Sequence, residues 1–302
     1  MSGLATNLGS YDLSSLLIGA SGTVGSVVDF RETIDFSLYG AAPAKSVSPE
    51  AWSGREPPRI AHRDAGMLNG IGIQNPGIEA WAVAHADAFV SIPTDVWGSV
   101  VAHDLDGFAE VANQMSLSGV DAIEINLSCP NLDGRPFALD PKLSGDVVSA
   151  VRAATTLPIG AKLSSDAEPI IAIAAAVQEA GADWVVVANS VMGSSIDPET
   201  RRPALSGLIG GYSGAPIRPI AIKSVLEIAK GAPDLPIVGC GGVSNAAHVV
   251  EFLLAGASAV AVGSAHFKTP RVGKSITRGL NRYMKRHDIS SVTELIGAYE
   301  PW

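Results

Sequence analysis

IEINLSCPN, residues 123–131, is the stretch on which the reading of this chain turns. The apolar run starts one residue earlier, at Ala122, and ends at Leu127. Short continuous apolar runs mark strands buried on both faces of a parallel sheet. This one stops at Ser128, Cys129 and Pro130, because proline has no N–H to give to a central ladder. Asn126 and Asn131 bracket a thiol. Polar clusters at the carboxyl ends of buried strands are where α/β folds place their chemistry.

Outward from that strand, strand and helix patterns alternate along the whole chain. Strands are expected at 16–20, 36–41, 90–97, 122–127, 158–163, 184–188, 236–238 and 259–262. Helices are expected at 78–89, 104–117, 144–155 with Ser144 as cap, 168–180, 220–230 and 245–255, the last stopped by Gly256, and two more close the chain. Two long excursions, 43–77 and 191–219, are rich in Gly and Pro. Regular strand-then-helix units over 302 residues predict a (β/α)8 TIM barrel, with 1–302 as a single domain. A doubly wound sheet is the alternative.

Hydrophobic residues make up 47% and charged residues 17%, which suits a large core and argues against disorder. The net charge of −9, with no Lys/Arg block, makes nucleic acid and anionic membrane poor partners. The two cysteines, Cys129 and Cys240, form no disulfide framework and suit a reducing, cytoplasmic setting. No Cys/His spacing suggests a metal or an iron–sulfur cluster. The first residues lack a signal-peptide pattern, and the apolar runs are too short to span a bilayer.

In a barrel, the residues after each strand converge on one mouth. They include Ser21 after the first strand, Lys45 after the second, Asn126, Cys129 and Asn131 after the fourth, and Lys162 ending the fifth. Asn189 and Ser190 follow the sixth, Gly241 and Gly242 the seventh, Gly263 and Ser264 the eighth. Glycines let backbone amides approach an anion, and barrels often bind phosphate after strands seven and eight. The same glycines would also serve as plain tight turns. Lys162 lies in an apolar strand, where an ammonium costs several kcal/mol unless partnered. Its partner is either an electron-rich ligand in the mouth or a carboxylate in a buried salt bridge. Lys45 is on a loop, where most lysines are simply solvated.

Cys129 is either a small core residue or, with its thiol lowered by a nearby Lys, a base. Cys240 reads as structural. Asn69, Asn126, Asn131 and Asn189 would suit a planar amide-bearing ligand, although any one of them can cap a turn. None of the six histidines is assigned to catalysis.

NLSCPN at 126–131, GMLNGIGIQNPG at 66–77, GGYSGAPIRPIAIK at 210–223 and PIVGCGGVSNAAHVVEFLLAGASAVAVGSA at 236–265 resemble class 1 dihydroorotate dehydrogenases, above all the NAD-linked type 1B catalytic subunit. The resemblance spans roughly 14–298. It implies a (β/α)8 barrel with flavin mononucleotide (FMN) at its mouth, oxidising dihydroorotate to orotate in pyrimidine biosynthesis. By motif, Cys129 would be the base for the C5 proton, with the C6 hydride passing to flavin N5, and Lys162 would lie by the flavin N1/O2 side. Lys45 would touch flavin and substrate. Asn69, Gly70, Ile71, Gly72, Ile73, Asn126, Asn131, Asn189 and Ser190 would hold the pyrimidine. Ser21, Ser46, Asn126, Ala188, Gly214, Gly241, Gly242, Gly263 and Ser264 would hold the flavin. The resemblance also implies a second subunit carrying FAD and an iron–sulfur cluster, in a homodimer or heterotetramer. One departure stands out: aligning Gly98 and Ser99 with the family's Gly-Ser puts Asp95 where many members have a flavin-contacting Asn.

Three other readings fit the same residues. One is a flavin barrel for another dihydropyrimidine, such as dihydrouracil. Another is a flavin-free phosphate-binding lyase or isomerase using Lys162. The third binds flavin without a competent cysteine loop.

Overall fold

Eight parallel strands close on themselves in the computed structural model, which describes residues 3–127 and 137–302. In chain order they are β1 (Leu17–Gly19), β2 (Ala41–Pro43), β3 (Asp95–Val100), β4 (Ala122–Asn126), β5 (Ile159–Lys162), β6 (Trp184–Val187), β7 (Ile237–Cys240) and β8 (Ala259–Val262). Each pairs with its neighbour in sequence, and β8 returns to β1 through Val260↔Leu17 to Val262↔Gly19. The helices are α1 (Ile78–His85), α2 (Leu105–Ser116), α3 (Pro141–Ala154), α4 (Ile170–Glu179), α5 (Arg218–Gly231), α6 (Ala246–Leu254), α7 (Ala265–Lys268) and α8 (Val272–Arg286). This is the (β/α)8 barrel expected from the alternation.

The strand period of two divides the core. Ile123, Ile125, Val185, Val187, Val260 and Val262 face the helices and join the larger apolar cluster. Ile18, Ala41, Trp97, Ala122, Trp184, Val186, Val238 and Ala259 face inward and form a separate one.

Several boundaries differ from the sequence-based expectation. Residues 36–41 are not a strand: Phe36–Leu38 is a 3-10 turn, and the ladder is built by Ala41–Pro43. At that level the interior is already filled by Trp97, which pairs with Pro43 and shares the inner cluster with Ala41, so only small residues fit. The third strand starts at Asp95, past Pro93, and runs to Val100. The helix expected at 78–89 ends at His85 and continues as a 3-10 turn, Ala86–Ser91. Helix α3 starts at Pro141, whose fixed φ suits a first turn, and is capped by Asp140, which accepts from Leu143 N at 3.0 Å. Ser144 is not the cap; its buried hydroxyl donates to Phe137 O at 2.8 Å.

The amino end of the barrel is plugged. A hairpin, Thr6–Leu8 with Tyr11–Leu13, sends Tyr11 under the strands. Tyr11 packs 5.4 Å from Trp184 and 6.2 Å from Trp97, and the two indoles lie 4.8 Å apart. Such ring pairs contribute about 0.5–1.5 kcal/mol each beyond their burial. Gly160 makes the room: a Cβ there would lie 2.2 Å from Trp184 Nε1. Tyr11 donates to Asp95 Oδ2 at 2.7 Å, and burial pushes the Asp95 carboxyl above its usual range. Asp95 is thus the first residue of β3, at the end away from the mouth, and not a cofactor contact.

The two excursions meet. Val191–Gly193, Gly210–Gly214, Gly66–Asn69 and Ile60–Arg63 form one antiparallel sheet in that order, with Gly211 opposite Asn69. Behind β8, Tyr39 Oη lies 2.8 Å from His266 Nε2. Burial depresses the His266 imidazole from 6.5 to about 4.

Between pH 6.5 and about 4 the unfolded chain therefore binds a proton that the folded barrel refuses, so stability is lost as the pH falls through that window. Replacing His266 by Gln should remove about 3 kcal/mol of that pH dependence. The check is urea unfolding of both proteins at neutral pH and near pH 4; equal losses would clear His266 of this role.

Candidate functional site

A cavity of about 410 Å³ opens between the carboxyl ends of the strands and the excursion sheet. That is in the usual range for a small-molecule or cofactor site. Every site residue expected from the sequence that the structure describes lines it: Ser21, Lys45, Ser46, Asn69 to Ile73, Asn126, Lys162, Ala188, Asn189, Ser190, Gly214, Gly241, Gly242, Gly263 and Ser264. Cys129 and Asn131 lie outside the described residues.

The floor is polar and tightly connected. On β4 the period of two points Asn126 inward, level with Lys162 across the β4–β5 ladder. Lys162 is only 4% exposed. Its Nζ donates to Ser21 Oγ at 3.0 Å and sits 3.9 Å from Glu124 Oε1. Lys162 thus has the buried carboxylate of the salt-bridge reading, and it also lines the cavity. Asn126 Nδ2 donates to Ser46 Oγ at 3.2 Å, and Ser46 Oγ lies 2.8 Å from Ser99 Oγ. Asn189 Nδ2 donates to Asn126 Oδ1 at 3.4 Å. The network holds the amides in fixed orientations, which is what recognition of a planar ligand needs.

The roof is the excursion sheet. Asn69 Nδ2 donates to Gly211 O at 3.1 Å, so the first excursion is pinned to the second. Asp166, after β5, accepts from Met192 N at 3.0 Å and ties the sheet back to the barrel.

One flank is nearly all main chain. Gly214, the turn after β7 and the turn after β8 meet there. Gly242 has φ +64, and a Cβ on it would lie 2.7 Å from Gly214 O. A side chain would both strain that turn and push the two backbone segments apart. A backbone cradle beside a buried ammonium suits a phosphate-bearing, electron-rich ligand. These residues fit a bound flavin mononucleotide.

Cys240 is not in the turn but ends β7, with its side chain at the cavity floor. Burial pushes its thiol up, so it stays a neutral thiol and is no nucleophile.

Glu124, Arg55 and Asp166 were not picked out by sequence reasoning. Glu124 left a signal, as a charged residue in a buried strand two positions before Asn126. Arg55 left none: it lies in the irregular part of the first excursion, and donates to Ile209 O at 2.6 Å across the roof.

Comparison with known proteins bears on the same site. A family model described as dihydroorotate dehydrogenase matches residues 3–284. The chain is 37% identical over 300 residues to the dihydroorotate dehydrogenase B (NAD(+)), catalytic subunit, of Shouchella clausii, covering 98% of each. It is 38% identical over 305 residues to the protein of that name from Bacteroides thetaiotaomicron, covering 99% of this chain and 100% of the relative. For the one from Citrifermentans bemidjiense the identity is 40% over 284 residues, 93% of each.

Gly242→Ala is expected to weaken retention of flavin mononucleotide by about tenfold or more, since tenfold is only about 1.4 kcal/mol. Dialysis of the yellow protein followed by absorbance would measure it. Wild-type retention would show that the cradle does not depend on this backbone conformation.

Proposed function

This chain belongs to the dihydroorotate dehydrogenase family, and from that premise we propose which of its residues carry the reaction. The activity is oxidation of dihydroorotate to orotate in pyrimidine biosynthesis, by an FMN-dependent oxidoreductase. The observation that carries the residue assignment is the buried Lys162 ammonium at the floor of a cavity rimmed by Asn69, Asn126 and Asn189.

The substrate loses a proton from C5 and a hydride from C6. Bound FMN supplies the acceptor for the hydride. Cys129 takes the C5 proton at Sγ; in sequence it follows β4 by three residues. A cysteine with a pKa near 8.5 needs only a modest shift to act as base near neutral pH. Lys162, itself buried, supplies fixed positive charge where negative charge develops. Asn69, Asn126 and Asn189, with Asn131, hold the pyrimidine ring, and Lys45 and the 70–73 backbone hold its carboxylate. Gly214, Gly241, Gly242, Gly263 and Ser264 hold the cofactor's phosphate, with Ser21, Ser46 and Ala188 along its ring.

The relatives are named catalytic subunits, which implies a companion subunit for them. We extend this to the present chain, with a companion that carries FAD and an iron–sulfur cluster and passes electrons to NAD in a heterotetramer, or else a homodimer of this chain. No helix among the described residues is long and apolar enough to cross a membrane. We take 1–302 as one barrel domain working in the cytoplasm.

Three measurements test this. The purified protein should be yellow and should bleach anaerobically with dihydroorotate but not with dihydrouracil; the reverse preference would sink the substrate assignment. Cys129→Ser should keep its flavin and slow bleaching by 10²-fold or more, because Ser is a far weaker base; unchanged kinetics would rule the thiol out. Lys162→Ala should lose flavin affinity or slow reduction by about 10²-fold, and a variant unaltered in both would leave the lysine a purely structural part.

A further inference from the structure

The mechanism above uses Lys162 but leaves its neighbour unexplained. Glu124 is 1% exposed, and its Oε1 has no hydrogen-bond partner among the described residues. A buried carboxylate in that condition is costly unless an opposite charge faces it.

Its position is set by strand register. Glu124 lies opposite Gly160, and Gly160 lies opposite Trp184, so the carboxylate is one layer deeper than Lys162 and Asn126. Trp184 shares that layer, and Trp97 with Tyr11 closes the barrel beyond it toward its amino end. Within this enclosure the charge facing Glu124 is the Lys162 ammonium, at 3.9 Å. That distance is an ion pair and not a hydrogen bond. Lys162 spends its short contact on Ser21 Oγ, at 3.0 Å on the cavity side. The ammonium is therefore held between a hydroxyl in the mouth and a carboxylate beneath it.

We propose that Glu124 is a positioning residue that anchors Lys162 from below and offsets part of its charge, thereby setting how strongly the site favours the reduced over the oxidised flavin. A lone ammonium in a low-dielectric floor attracts negative charge strongly. With a carboxylate behind it, the field reaching the cavity is that of an ion pair, which is weaker and falls off faster. Glu124 thus keeps the bound flavin from becoming too good an electron sink, so that electrons taken from the substrate can leave again. The inference rests on the flavin reading above.

The test compares midpoint potentials of the flavin-loaded proteins, by reduction in equilibrium with a reference dye. Wild-type protein that carries FMN and bleaches with dihydroorotate secures the flavin reading, whatever the variants do. Glu124→Gln should shift the oxidised–reduced equilibrium toward reduced flavin by about tenfold, which is about 30 mV upward for a two-electron couple. In a Lys162→Met background the same substitution should shift the potential much less, because Glu124 acts through the lysine it faces at 3.9 Å. A Glu124→Gln potential equal to wild type would overturn the proposal, and so would a shift that persists in full without Lys162. If Glu124→Gln fails to keep flavin, Glu124→Asp takes its place. Its shorter arm withdraws the charge, so the potential should rise by a smaller amount, and an unmoved potential overturns the proposal equally.

Discussion

Lys162 enters the barrel from β5 with its ammonium 3.0 Å from Ser21 Oγ and 3.9 Å from Glu124 Oε1. An ion this far from water must find its hydration replaced by protein groups, and the geometry of those groups then becomes the geometry of the site. Ser21 comes from the end of β1 and Glu124 from β4, so the three residues join distant parts of the barrel at its floor. Asn126, two residues beyond Glu124 on the same inward face, links on to Ser46, Ser99 and Asn189. The polar floor is one network, and a closed barrel is what brings its members within reach of each other.

The two ends of the barrel are unequal for a physical reason. Beside and below the ion pair, Trp97, Trp184 and Tyr11 fill the interior, with Gly160 clearing the space that an indole needs. Above it, small residues and backbone turns leave a cavity. The aromatic plug lets a charge be buried just above it without an aqueous path from underneath. Asp95 belongs to that lower end through its bond with Tyr11, which explains why a residue expected beside the flavin stands on the other side of the plug.

The excursions complete the site from outside. Neither 43–77 nor 191–219 could hold a cavity roof alone, since each contributes only two short strands. Paired through Gly211 and Asn69 they make a four-stranded sheet, and the Asp166 contact to Met192 N returns it to the barrel. This sheet carries Asn69 to the same cavity as Asn126 and Asn189, across stretches of chain more than fifty residues apart.

The barrel, and the convergence of Ser21, Lys45, Asn126, Lys162, Asn189 and the two glycine turns, were legible in the residues themselves. Buried parallel strands leave apolar runs, and a barrel has only one mouth to which their ends can point. The motifs around Asn126, Gly66 and Gly241 carried the family and its chemistry as well. Tertiary structure alone decided the rest. Ala41–Pro43 replaced 36–41 as the second strand because the interior beside Trp97 admits only small side chains. The excursion sheet is made of Gly-rich pieces whose pairing is long-range and leaves no periodic trace. Glu124 acquires its meaning from a lysine on the next strand. Local pattern reports which face a residue turns to the core; which charge it meets there depends on closure and register, and these exist only once the chain has folded.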